Sequence, residues 1–149
     1  MKPKALKGQD PLEQAKHNER VSGYLYKDPV GCFDWVVTTA FYSALHYIAF
    51  QLFPLIRGAA TYTDFDHYYS ETEGRKSISQ KRNKHEATMA LVNQELQPIS
   101  AYYRSLMTAC HNARYRDYRI KKAEADQALQ ELQLIKAGLD KVPAGSKKK

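Results

Sequence analysis

Four side chains able to do chemistry fall within fifteen residues: Arg104, His111, Tyr115 and Tyr118. Their steps of seven, four and three bring them to one side of a helix with 3.6 residues per turn. An imidazole titrates near neutral pH and can move protons, while a guanidinium is a permanently charged fork for phosphate oxygens. Around them, from Arg104 to Lys122, stand six Lys or Arg (Arg104, Arg114, Arg116, Arg119, Lys121, Lys122) against Asp117 alone, a local charge of +5. A polyanion is the partner such a stretch fits. Arg114, Arg116, Arg119, Tyr115 and Tyr118 are therefore the candidate substrate-binding residues. Arg104 and His111 are the candidate catalytic pair.

The same stretch carries a second, apolar face. Ile99, Tyr103, Leu106, Cys110 and Ala113 recur every three or four residues, the spacing of a buried stripe. One helix thus offers one side to the core and the other to solvent or a partner. It is expected to begin at Gln97 or Pro98, where proline fits a first turn, and to run to about Arg119.

Four more helices complete the expected fold. Asp10 followed by Pro11 is an N-cap and N1 pair, opening a helix that reaches about Lys27 before Asp28, Pro29 and Gly31 break it. A second runs from Cys32 to Phe53 and stops at Pro54; Phe33, Val37, Phe41, Ala44, Leu45, Ile48 and Leu52 form its core stripe. Trp35, Thr39, Tyr42 and His46 line an adjacent face. His46 is an accessory site candidate with Tyr42, or else a buried imidazole held by a tyrosine or a carbonyl. A third helix is expected from Ser79 to Leu96, ahead of Pro98, and a last one from Lys122 to Lys141 with Ala125, Ala128, Leu129, Leu132, Ile135 and Leu139 in register. Residues 55–80 show no helical period and read as a long loop. Within it Tyr62, Phe65, Tyr68 and Tyr69 either stack on bases or pack the loop down, and Asp64, Asp66 and His67 are ligand types without ligand spacing.

At 149 residues the chain is long enough for one domain that needs no disulfide or metal staple. A flexible basic arm over 1–9, a single domain over 10–142 and a basic tail over 143–149 are expected. Cys32 and Cys110 stand far apart with no metal-ligand spacing and read as small buried residues of a reducing compartment. No metal or cofactor is implied. The basic start lacks an apolar core, so no secretory signal is expected, and the apolar run from Val36 to Phe53 holds too many polar groups for lipid. A cytoplasmic protein without a membrane span follows.

Two segments carry a resemblance to a known family. DWVVTTAFYSALHYIAF at 34–50, followed by SLMTACHNARYRDY at 105–118, resembles a HEPN domain of the stand-alone or nucleotidyltransferase-associated prokaryotic kind. The resemblance spans about residues 12–140. It implies an all-α, up-and-down bundle of four to five helices that pairs as a homodimer. It also implies a metal-independent RNase whose Arg, followed by four to six residues and a His, meets its twin in a composite cleft; Arg104 and His111 stand at that spacing. Ser105 follows the Arg where the family often has Asn, Asp or His, and Ala113 stands where associated members carry a tyrosine.

Metal-free RNA cleavage makes three demands: a deprotonated 2'-hydroxyl, a stabilised phosphorane, and a protonated leaving oxygen. A positioned imidazole contributes about 10² to 10⁴ in rate. Seven residues are two turns, about 10.5 Å along the axis. That is long for one Arg and one His to grip the same phosphate, so long side chains leaning together, or a two-fold copy of the motif, are expected to close the gap. The expected function is RNA cleavage or binding in a toxin-antitoxin or defence system. The alternative is a non-catalytic module that binds a nucleotide, a nucleotidyltransferase or an antitoxin.

Overall fold

The computed structural model describes residues 10–116 and 119–142. The arm over 1–9, the tail over 143–149 and Tyr118 lie outside these described residues. The fold is an all-α helical bundle with one small β-hairpin.

Helix α1 spans Pro11–Lys27, and its start is the expected one: the Asp10 carboxylate accepts the Leu12 N–H at 3.0 Å, with proline opening the first turn. Helix α2 spans Phe33–Leu52 and ends where Pro54 forbids another turn. Val36, Val37, Ala40, Phe41, Ala44 and Ile48 are buried in it. Small residues let α1 approach closely, because Ala15, Ser22, Ala40, Ser43 and Ala44 are all fully buried. Two hydroxyls there find partners: Ser43 donates to the Ala15 carbonyl at 2.8 Å, and Ser22 lies 2.7 Å from Thr39. One edge of α2 is not fully covered. Trp35, Tyr42 and Phe50 are 48%, 41% and 40% exposed, so the helix keeps an aromatic edge in solvent.

Residues 55–80 are not the long loop their lack of period suggests. Strands β1 (Leu55–Arg57) and β2 (Ala60–Tyr62) pair antiparallel, Leu55 opposite Tyr62, around Gly58, whose φ of +59° favours glycine. Asp64 then caps helix α3 (Phe65–Thr72), accepting the His67 N–H at 2.7 Å. Phe65 packs edge-on against Phe53, ring centroids 4.8 Å apart, and Tyr62 does the same with Tyr68 at 5.1 Å. Of the two readings of these aromatics, packing the segment down is the one these contacts of Tyr62, Phe65 and Tyr68 support. A 3-10 turn follows at Glu73–Arg75, and the buried Glu73 carboxylate gathers the Lys76 ammonium and the Arg82 N–H.

Helix α4 spans Lys84–Glu95, starting five residues after the expected Ser79 because Asn83 and Glu86 form a capping box: Asn83 accepts the Glu86 N–H at 2.8 Å. Helix α5 spans Gln97–Tyr115 and α6 spans Lys122–Lys141. There are thus six helices among the described residues where four or five were expected; α3 is the addition. α2 sits at the centre, packed by α1, α5 and α6, while α4 covers α5 from outside. A polar clamp on the far side ties α1, α2 and α6 together: Glu19 accepts hydrogen bonds from Tyr47 at 2.6 Å, Gln133 at 2.8 Å and Lys136 at 2.9 Å. Among the described residues no helix is long and apolar enough to cross a membrane.

Candidate functional site

Helix α5 divides as its sequence pattern requires. Ile99, Tyr103, Leu106, Cys110 and Ala113 are all buried. Arg104, His111 and Tyr115 are exposed, Tyr115 at 73%. Ser105, beside Arg104, donates a hydrogen bond to the buried Glu131 carboxylate at 3.0 Å and so fixes α5 against α6.

A cavity of about 350 Å³ opens where α2, α5 and the start of α4 meet. Its floor is apolar, made by Phe41, Met107 and Cys110. Its rim is polar and comes from three elements: Tyr42 of α2, then Asn83, His85 and Glu86 of the α4 capping turn, then His111, Arg114 and Tyr115 of α5. The volume falls at the lower end of the range for small-molecule pockets, about 300–1,000 Å³, and the mix of apolar floor with few polar groups is typical of them.

The side chains at this rim are held in place. The His111 and Tyr115 rings lie 5.1 Å apart at 48°. The Arg114 guanidinium sits 4.8 Å over the Trp35 ring, a cation–π contact that steers its charge toward the α2–α5 edge. The His85 ring lies 6.3 Å from that of Phe41, which in turn stacks near Tyr103 at 5.7 Å in the core. Burial pushes the Cys110 thiol above its usual range, so it is an inert wall, not a nucleophile.

The structure therefore brings His111, Arg114, Tyr115 and Tyr42 to one cavity. Arg104 shares the outer face of α5 with His111 but lies two turns back, outside the cavity lining. Arg116 caps the end of α5 and Arg119 follows it, both exposed and outside the lining. His46 does not join them either. It sits one turn beyond Tyr42 on α2, half-buried, and burial pushes its pKa down, favouring the neutral imidazole.

His85 is the residue that sequence reasoning missed. A helix starting at Ser79 would place it in the second turn, with nothing to single it out. The signal that relocates it was present as Asn83, two residues, Glu86: the capping-box pattern starts α4 at Lys84 and puts His85 in an exposed first turn. Asp64, Asp66 and His67 also find ordinary employment. Asp64 is a helix cap, Asp66 pairs with Lys84, and the His67 ring accepts the Thr63 N–H at 3.1 Å. Among the described residues no three His, Cys, Asp or Glu side chains converge as a metal site.

No family model matches the chain, and neither the curated proteins nor the solved structures compared with it give a match. Two imidazoles, a guanidinium and tyrosine hydroxyls over an apolar floor suit proton transfer beside an anion.

Proposed function

We propose that the chain is a HEPN-like, metal-independent endoribonuclease of a toxin-antitoxin or defence system, working as a homodimer with Arg104 and His111 at its site. The observation that carries this reading is the exposure of His111 beside Arg114 at a cavity, on a helix whose other face is fully used by the core. An imidazole spent on packing would lie inside.

In this reading His111 takes or gives the proton at the reacting oxygen. Arg114 and Arg104 stabilise the phosphorane, and Arg116 and Arg119 hold neighbouring phosphates. The apolar floor receives a base, and Tyr115 or Tyr42 flanks it. Arg104 is two turns from His111, about 10.5 Å along the axis, so it joins the site from a second copy of α5, while Arg114 serves from the same subunit. The exposed aromatic edge of α2, Trp35 and Tyr42, adjoins this face and favours such pairing.

The test is cleavage of a structured RNA in EDTA by the wild-type chain and His111→Ala. Activity should survive the chelator and fall at least tenfold in the variant, which is about 1.4 kcal/mol of barrier. Equal cleavage by both proteins refutes the assignment. The position of Arg104 outside the cavity favours a second reading, a non-catalytic module that binds a nucleotide, a nucleotidyltransferase or an antitoxin. Binding without cleavage by the wild type would select it.

A further inference from the structure

We propose that His85 is a second proton-transfer group of this site, acting from the same subunit as His111. The inference rests on the nuclease reading above. Both imidazoles line the one cavity, and each stands on a fixed element. His85 belongs to the first turn of α4, whose start is locked by the Asn83–Glu86 capping box, and its ring is backed by the buried Phe41. His111 stands one turn before the end of the 19-residue α5, with Tyr115 beside it.

Transesterification without a metal moves two protons on opposite sides of phosphorus. One imidazole takes the proton of the 2'-hydroxyl as that oxygen forms its bond to phosphorus. The bond from phosphorus to the 5'-oxygen then breaks, and the departing oxygen takes a proton from the other, protonated imidazole. The products are a 2',3'-cyclic phosphate and a 5'-hydroxyl, and the two rings have exchanged protonation states. A single histidine can serve only one of these ends at a time.

The other groups facing the space are poor second partners. Glu86 is committed to its cap, its carboxylate accepting the Asn83 N–H at 3.3 Å. The Cys110 thiol is held neutral by burial. Tyr42, Tyr115 and Arg114 face the same space, but phenols and a guanidinium are poorer proton shuttles than an imidazole. His85 is left as the imidazole that α4 presents to the cavity.

The experiment compares the full chain with His85→Phe, His85→Asn and His111→Ala, measuring kcat and KM for an RNA oligonucleotide in EDTA across pH 5 to 9. His85→Phe keeps a ring against Phe41 and removes only the proton chemistry, and His85→Asn gives a second, smaller replacement. Both should lower kcat at least tenfold, leave KM within about twofold, and abolish one limb of a bell-shaped pH profile; His111→Ala should abolish the other. Wild-type-like kcat and both limbs in either folded His85 variant, with His111→Ala inactive, removes His85 and leaves the nuclease reading standing. A wild type that does not cleave removes both.

Discussion

Gly138→Ala on α6 sets two ordinary rules against each other. In a helix interior, alanine is favoured over glycine by about 1 kcal/mol. Here a Cβ at position 138 would lie 2.1 Å from Cγ2 of Ile99, well inside the roughly 3.5–4.0 Å at which carbon atoms meet. Ile99 cannot step aside: it is fully buried, β-branched, and in the first turn of α5. So α6 must retreat from α5 by more than about 1 Å, an overpacking cost at the upper end of roughly 1–3 kcal/mol. After the propensity gain the net loss is about 2 kcal/mol, or some 4–8 °C in Tm for a domain of this size. Thermal melts followed by circular dichroism would read it. In an Ile99→Leu background, which lacks the offending methyl, the penalty should shrink by about 1 kcal/mol or more, as contacting residues couple. A Gly138→Ala protein as stable as the wild type, or more so, would show that the two helices do not approach as closely as described.

Tyr103 is buried and its hydroxyl has no hydrogen-bond partner among the described residues; Tyr103→Phe should therefore be neutral or stabilise by about 1 kcal/mol in urea denaturation, and a clear loss would contradict that picture. Burial would raise the Glu19 carboxyl, but hydrogen bonds from Tyr47, Gln133 and Lys136 and the charge of Lys136 outweigh it and hold its pKa below 4.5. Its contribution is thus complete above the unfolded value and is lost as pH falls below 4.5 through the folded one. Glu19→Gln should be less stable than wild type at pH 7, with the difference closing toward pH 3, and parallel pH curves would rule the clamp out. Arg114→Ala should weaken RNA binding and lower the slope of log affinity against log salt by about 0.7 to 0.9, one phosphate contact; an unchanged slope would mean that Arg114 serves Trp35 alone.

Where the chain announces its own ends, it was readable. Asp10-Pro11 starts α1, Pro54 stops α2, and α6 runs over the same twenty residues that its apolar spacing marks. The two-faced character of α5 was readable for the same reason, since nineteen residues give five turns of repeated pattern. Residues 55–80 were opaque because a three-residue strand or an eight-residue helix is shorter than the window in which a period can be recognised. Their order comes from tertiary contacts, Phe65 on Phe53 and Glu73 on Arg82, which no local pattern encodes. The cavity lining was legible along one helix, with Tyr42 of α2 named beside it but not joined to it. His111, Arg114 and Tyr115 share a sequence neighbourhood, while Tyr42 and His85 reach them by folding, across separations that periodicity does not measure.

Phe41 is shared property. Its ring meets Tyr103 inside the bundle and His85 at the cavity, while it also forms part of the cavity floor. Whatever enters from solvent thus presses on the same aromatic disc that the interior is assembled around, with no intervening layer to absorb the push. Occupancy should accordingly be audible deep in the protein: amide protons of α2 and α5 far from the opening should exchange more slowly when the cavity is filled, and evolution or design cannot resize the floor without retuning the bundle's melting point.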